Sequence, residues 1–179
     1  SSASPQDEGW HTPKAMDRSD MDTVKAAFVE SVKRSDRLGF DMIEVHSAHG
    51  YLLHEFLSPI SNTRNDEYGG PIENRMRYPL EIFAAMREAW PEEKPMGLRL
   101  SATDWEDNGW SSEDSVVYSR ALKELGCDYI CASSGGISGN TRLELGEGYQ
   151  VDFASKIRRE ANVPTMAVGM IYAPHHSES

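Results

Sequence analysis

Apolar and polar positions along the chain switch repeatedly between two periods. Val24, Ala27, Phe28, Val32 and Leu38 recur at helical spacing from Asp20 onward, with Ser31 and Ser35 in the same stripe, and Gly39 stops the pattern. Met42 to His46 then reads as a strand, with Met42, Glu44 and His46 on one face and Ile43 and Val45 on the other. Leu52 to Leu57 predicts a short helical turn broken at Ser58-Pro59. Met76, Leu80, Phe83, Ala84 and Trp90 predict a longer helix, bent near Pro79 and ended by Pro91. Met96, Leu98 and Leu100 alternate with Gly97, Arg99 and Ser101 in a second strand. Ser111, followed by Glu113 and Asp114, opens a helix whose buried stripe is predicted as Val117, Ala121, Leu122 and Leu125, closed by Gly126. A strand over Tyr129–Ser133, a helix from about Asp152 to Ala161, a strand over Thr165–Gly169 and a helix start near Pro174 complete the series.

Strands alternating with amphipathic helices specify a parallel α/β fold, either an open doubly wound sheet or a (β/α)8 barrel. A weak internal repeat supports this order: Leu38-Gly39-Phe40-Asp41-Met42-Ile43 matches Leu125-Gly126-Cys127-Asp128-Tyr129-Ile130, each a helix stop leading into a strand. Only four strands are predicted, whereas a closed barrel needs about 250 residues. Every candidate functional group follows a strand's C-terminal end, where both folds place their sites. Residues 1–19 read as an extended lead-in with Trp10 as its anchor. Residues 61–75 form a long polar loop at the end of the first strand, either held by its own hydrogen bonds or a solvated insertion.

Composition narrows the classes. The 179 residues are 39% hydrophobic and 26% charged, enough for one domain with a core. A formal charge of −11, with no basic run, argues against nucleic acid or an anionic membrane as partner. No apolar run approaches a membrane span and the N-terminal stretch has no signal-peptide h-region, so a cytoplasmic home is expected. Cys127 and Cys131 are too few for a disulfide framework and read as packed thiols.

The chemistry gathers at His46, His49 and Tyr51. Two histidines three apart are compatible with zinc, although no H-E-x-x-H helix, carboxylate triad or cysteine partner accompanies them. They are equally compatible with loop residues capping strand ends. The third reading is a pocket in which two imidazoles donate to a ligand oxygen while a phenol holds a proton. Arg99 faces the same side as Glu44 and His46 if the two strands are parallel neighbours. It then either pairs with Glu44 or aims its charge at an anionic ligand.

The motif His46-Ser47-Ala48-His49-Gly50-Tyr51-Leu52-Leu53-His54-Glu55-Phe56-Leu57-Ser58-Pro59, with Asn62, Arg64, Asp66, Tyr68-Gly69-Gly70 and Glu73-Asn74-Arg75, closely resembles the old yellow enzyme family of flavin-dependent ene-reductases, in its bacterial NADPH dehydrogenase and xenobiotic reductase branch. The resemblance covers essentially the whole chain. It implies an FMN-bearing (β/α)8 TIM barrel present only in part, from the helix before strand four to the strand-seven region, as one domain over residues 1–179. It implies NADPH as reductant, a small-molecule enone as substrate and a homo-oligomer for the full-length enzyme. By motif, His46 and His49 match the pair that binds the substrate carbonyl oxygen and Tyr51 the proton donor. Arg99 matches the arginine at the flavin's pyrimidine edge, and Gly169 the backbone near the flavin phosphate. Dienoyl-CoA reductase relatives share the barrel but lack the histidine pair and carry an iron–sulfur cluster. The remaining alternative is a non-catalytic half-barrel without flavin, and the isolated chain is expected neither to hold FMN tightly nor to turn over.

Overall fold

Asp17 explains where the first helix begins. Its carboxylate accepts from the Asp20 amide at 2.9 Å, and the Asp20 carboxylate accepts from the Asp17 amide at 3.0 Å. This reciprocal cap starts α1 (Arg18–Arg37) two residues ahead of the predicted Asp20. Gly39 then turns left-handed at φ +81° and ends the helical run, as expected. The computed structural model describes residues 1–5, 9–139, 141–143 and 145–177, so residues 6–8 of the lead-in and the last two residues of the predicted domain lie outside the described ones.

Beyond α1 come β1 (Ile43–Ser47), α2 (Leu52–Leu57), α3 (Ile72–Ala89), β2 (Met96–Ser101), α4 (Ser112–Glu124), β3 (Ile130–Ser133), α5 (Val151–Ala161), β4 (Thr165–Ala167) and α6 (Pro174–Ser177). The four strands form one parallel sheet in the order β1-β2-β3-β4. A doubly wound sheet reverses its strand order at a switch point; here the order follows the chain without reversal, as in a barrel. The fold is four consecutive β/α units of a (β/α)8 barrel. Val45, Leu98, Leu100, Ile130 and Ala132 are buried on the sheet face that packs against the helices.

Three expectations are corrected. The buried face of α4 is Ser115, Val116, Tyr118, Ser119 and Leu122, while Val117 is 41% exposed and Ala121 and Leu125 are only half-buried. The reason is that the serines are satisfied in place. Trp110 Nε1 donates to Ser115 Oγ at 2.6 Å, Ser115 Oγ donates to Ala102 O at 2.9 Å, and Ser119 Oγ donates to Ser115 O at 2.7 Å. Trp10 does not anchor the lead-in, being 64% exposed. The anchors are polar: Thr63 N donates to Ser2 Oγ, and Arg64 Nη1 donates to Met16 O. Finally, β4 is two residues shorter than predicted, because Gly169 turns left-handed at φ +103°.

The polar stretch after α2 is a built loop, not a solvated insertion. Buried Asn62 donates to Phe56 O at 2.6 Å and Tyr68 O at 2.8 Å, and Arg64 grips Asp66 with two hydrogen bonds. A Cβ on Gly69 would lie 2.1 Å from Arg64 O, so only glycine permits this closure. From Ile72 the stretch already belongs to α3, which continues across Pro79.

Candidate active site

A tight turn after β1 builds the site. Tyr51 N donates to Ala48 O at 3.2 Å, and both central residues are left-handed, His49 at φ +58° and Gly50 at φ +74°. Glycine takes that conformation freely; a side-chain-bearing residue pays about 1–2 kcal/mol. His49 is held there by neighbouring strands. Its amide donates to Ser101 Oγ at 3.0 Å, and Ser101 Oγ donates on to Gly135 O at 2.7 Å. A Cβ on Gly136, itself at φ +91°, would lie 2.5 Å from His49 Cα, so the loop after β3 passes only because it has no side chain there.

The turn gathers the three predicted side chains. The ring of His46 lies 5.2 Å, centroid to centroid, from His49 and the same distance from Tyr51. Tyr51 is 63% exposed, so its hydroxyl is reachable from solvent. Burial first, and then the Arg99 charge, hold both imidazoles below the usual histidine range, His49 down to about 4. Both rings are therefore neutral near pH 7, each with one N–H donor. The Nε2 of His49 meets Ser133 Oγ at 2.7 Å.

Arg99 sits opposite His46 in the β1–β2 register and opposite Cys131 in the β2–β3 register. Of the two readings of Arg99, the pairing with Glu44 is not the one observed: no ion pair joins them among the described residues. Glu44 stands opposite Gly97, and the ring of Tyr129 fills the space over that glycine, where a Cβ would come within 2.2 Å of it. Glu44 hence faces the phenol of Tyr129, which burial and then this carboxylate push up to about 12. The Arg99 guanidinium reaches Ser133 Oγ only at 3.4 Å, and its Nε is buried with no hydrogen-bond partner. An unsatisfied buried donor costs about 1–3 kcal/mol, so this one calls for an acceptor from a ligand.

Gly169 lies at the opposite edge of the sheet, past β4, apart from the histidine cluster. A Cβ there would come within 2.6 Å of Gln150 Nε2. Gln150, 2% exposed, was missed by sequence reasoning. Its Oε1 accepts from Ser134 Oγ at 2.6 Å and its Nε2 donates to Val168 O at 3.1 Å, tying the ends of β3 and β4 together. Nothing in its spacing announces this role. Ser101 shares the alternating face of Arg99, and strand alternation carries that signal. No group of three or more His, Cys, Asp or Glu residues that could hold a metal occurs among the described residues.

The profile of the NADH:flavin oxidoreductase / NADH oxidase family matches residues 2–179. The NADPH dehydrogenase of Geobacillus thermodenitrificans (strain NG80-2) is 45% identical over 177 residues, 99% of this chain and 51% of that protein. Among solved structures, morphinone reductase in complex with tetrahydroNAD superposes with a TM-score of 0.71 at 28% identity, over 92% of this chain and 42% of that one. The old yellow enzyme homologue from Zymomonas mobilis gives a TM-score of 0.76 at 20% identity, over 94% of this chain and 47% of that one, a likeness of fold. The chain spans about half the length of the relative it matches. With the parallel β/α order and the histidine turn in place, the profile match over nearly all its residues makes this chain a member of the NADH:flavin oxidoreductase / NADH oxidase family, the old yellow enzymes.

Proposed function

We propose that this chain is the substrate-facing part of an FMN-dependent NADPH oxidoreductase that reduces the activated C=C bond of α,β-unsaturated carbonyl compounds. The observation that carries the reading is a strand end and the turn after it bringing together two neutral imidazoles and an exposed phenol, beside a guanidinium whose buried Nε has no partner. The names of the relatives support the nicotinamide reductant. The orphaned Arg99 Nε is what an acceptor-rich, electron-poor ring would satisfy, so the residues present fit FMN. Arg99 would hold the ring and the backbone at Gly169 the phosphate; FMN, when bound, supplies the hydride.

The chain's own residues do the rest. His46 and His49 direct N–H donors at the substrate's carbonyl oxygen, where negative charge develops as the alkene is reduced. The low proton affinity of His49 keeps that donor neutral across the neutral pH range. Tyr51, on the open side of the turn, gives its proton to the carbon next to the carbonyl. The same proposal treats residues 1–179 as one partial flavin oxidoreductase domain of a cytoplasmic, homo-oligomeric enzyme.

The test is a pair of half-reactions followed by flavin absorbance. In a complete barrel that contains this chain, bound FMN should be bleached by NADPH and re-coloured by cyclohexenone. A protein that retains flavin through desalting and is bleached, yet is not re-oxidised by any enone, would sink the substrate assignment.

A further inference from the structure

Beneath the turn lies a buried chain of polar groups that the reaction itself does not use. His54, fully buried on α2, accepts the Gly50 N–H on its Nδ1 at 3.0 Å. A nitrogen that accepts carries no proton, so the ring hydrogen sits on Nε2, which faces Asp104 Oδ1 at 2.8 Å. Asp104 is also fully buried, in the loop after β2. Its second oxygen accepts from Ser58 Oγ at 2.6 Å and from Trp110 N at 2.7 Å. A Cβ on Gly109 would lie 2.6 Å from Asp104 Cβ, so that loop is shaped to admit the carboxylate. The loops after β1 and β2 are thus bolted together through one imidazole of fixed tautomer.

We propose that His54, oriented by Asp104, is a positioning residue that fixes the turn presenting His49 and Tyr51. The turn has two central amides, at His49 and Gly50, and both residues are left-handed. The His49 amide is held by Ser101, and the Gly50 amide by His54. Losing the second hold frees Gly50 to leave its conformation and carries the two flanking side chains away from a common ligand oxygen. This inference rests on the functional reading above, in which that turn binds substrate.

Two substitutions separate positioning from simple structural support. In His54→Asn the amide oxygen can occupy the place of Nδ1 and keep the acceptor for Gly50, while contact with Asp104 is lost. In His54→Gln the amide nitrogen can occupy the place of Nε2 and keep the contact with Asp104, while the Gly50 acceptor is lost. If His54 positions the turn, exchange of the Gly50 amide should quicken by about tenfold or more in the Gln variant and stay within roughly threefold of wild type in the Asn variant. Affinity of the FMN-loaded complete barrel for para-hydroxybenzaldehyde, a phenolate that mimics the carbonyl oxygen, should fall in the same order. A residue that only supports the fold gives the reverse order, with Asn the worse variant because buried Asp104 loses its partner. That reverse order, or Gly50 exchange unchanged in both, overturns the proposal; so does faster exchange with unchanged affinity. His49→Ala is the control on the functional reading: undiminished phenolate affinity there fails that reading, whatever Gly50 exchange shows.

Discussion

The two copies of the internal repeat begin alike and end with different tasks. In each, a leucine closes a helix, the next glycine turns left-handed, at +81° for Gly39 and +83° for Gly126, and the chain enters a parallel strand. Continued past the strands, the alignment puts His46 level with Ser133 and His49 level with Gly136. Both members of the second pair are left-handed, His49 at +58° and Gly136 at +91°. One copy spends this rim position on an imidazole; the other leaves it bare so that the first can fit. Repeated β/α units thus share a backbone device and divide the labour between chemistry and space.

The largest effect is expected where the first copy carries its chemistry. Tyr51→Phe removes one hydroxyl from an exposed ring, so the fold should hold, while enone-dependent oxidation of reduced flavin should slow by about a hundredfold or more. Flavin reduction by NADPH should change little. Stopped-flow measurement of both half-reactions decides it, since equal slowing of the two contradicts a proton-donor role.

Next in size is the space the second copy provides. Gly136→Ala combines a left-handed backbone with a Cβ 2.5 Å from His49 Cα, backbone that cannot swing aside. A loss of roughly 2–4 kcal/mol in unfolding free energy is expected, along with weaker phenolate binding. Gly146→Ala, in open surroundings in the same loop, is the control and should be nearly silent. Comparable denaturation midpoints for the two variants would refute the packing argument.

How far the site was legible follows the same division. Strict alternation delimits the strand Met96–Ser101 to the residue, and hydroxyl-then-acid at Ser111 marks a cap because it is a local signal. His46, His49 and Tyr51 fell within one short motif. Ser133 and Gln150 did not: Ser133 meets His49 across 84 positions of chain, and only the sheet register brings them together. Alternation likewise leaves Arg99 open between Glu44 and a ligand, since it names a face but not which neighbour fills the gap above a glycine. The α4 stripe was misplaced because a serine with both its hydrogen bonds satisfied packs like an apolar residue.

A smaller effect comes from pH. The folded state lowers the His49 pKa from 6.5 to about 4, so it favours the neutral ring and the unfolded chain binds the extra proton. Stability contributed by neutral His49 is complete above about pH 6.5 and is lost progressively as pH falls toward about 4. Discounted for partial exposure, the loss should be about 1 kcal/mol. His49→Asn should flatten that portion of the stability profile. The carboxylates of Asp17, Asp20 and Asp66, whose pKa values lie below the usual range, titrate lower and are common to both proteins. An unchanged slope between pH 6.5 and 4 in the variant would remove His49 as its source.

The smallest effect returns to the leucines that open the two copies. Leu38 and Leu125 occupy the same C-cap position, each followed by a left-handed glycine, so any difference between them reflects their surroundings alone. Leu38 is 76% exposed, whereas Leu125 packs against the core. Burial of a leucine side chain is worth about 1.5–3 kcal/mol when complete, and exposed surface contributes almost nothing. Leu125 is only half-buried, so Leu125→Ala should cost about 0.5–1 kcal/mol and Leu38→Ala less than about 0.3 kcal/mol, read from urea denaturation at matched slopes. Equal costs would mean that the leucine acts through the helix stop itself, where the two copies are the same. Unequal costs in the expected order would show that the shared punctuation sets the chain's course while the neighbours set its energy.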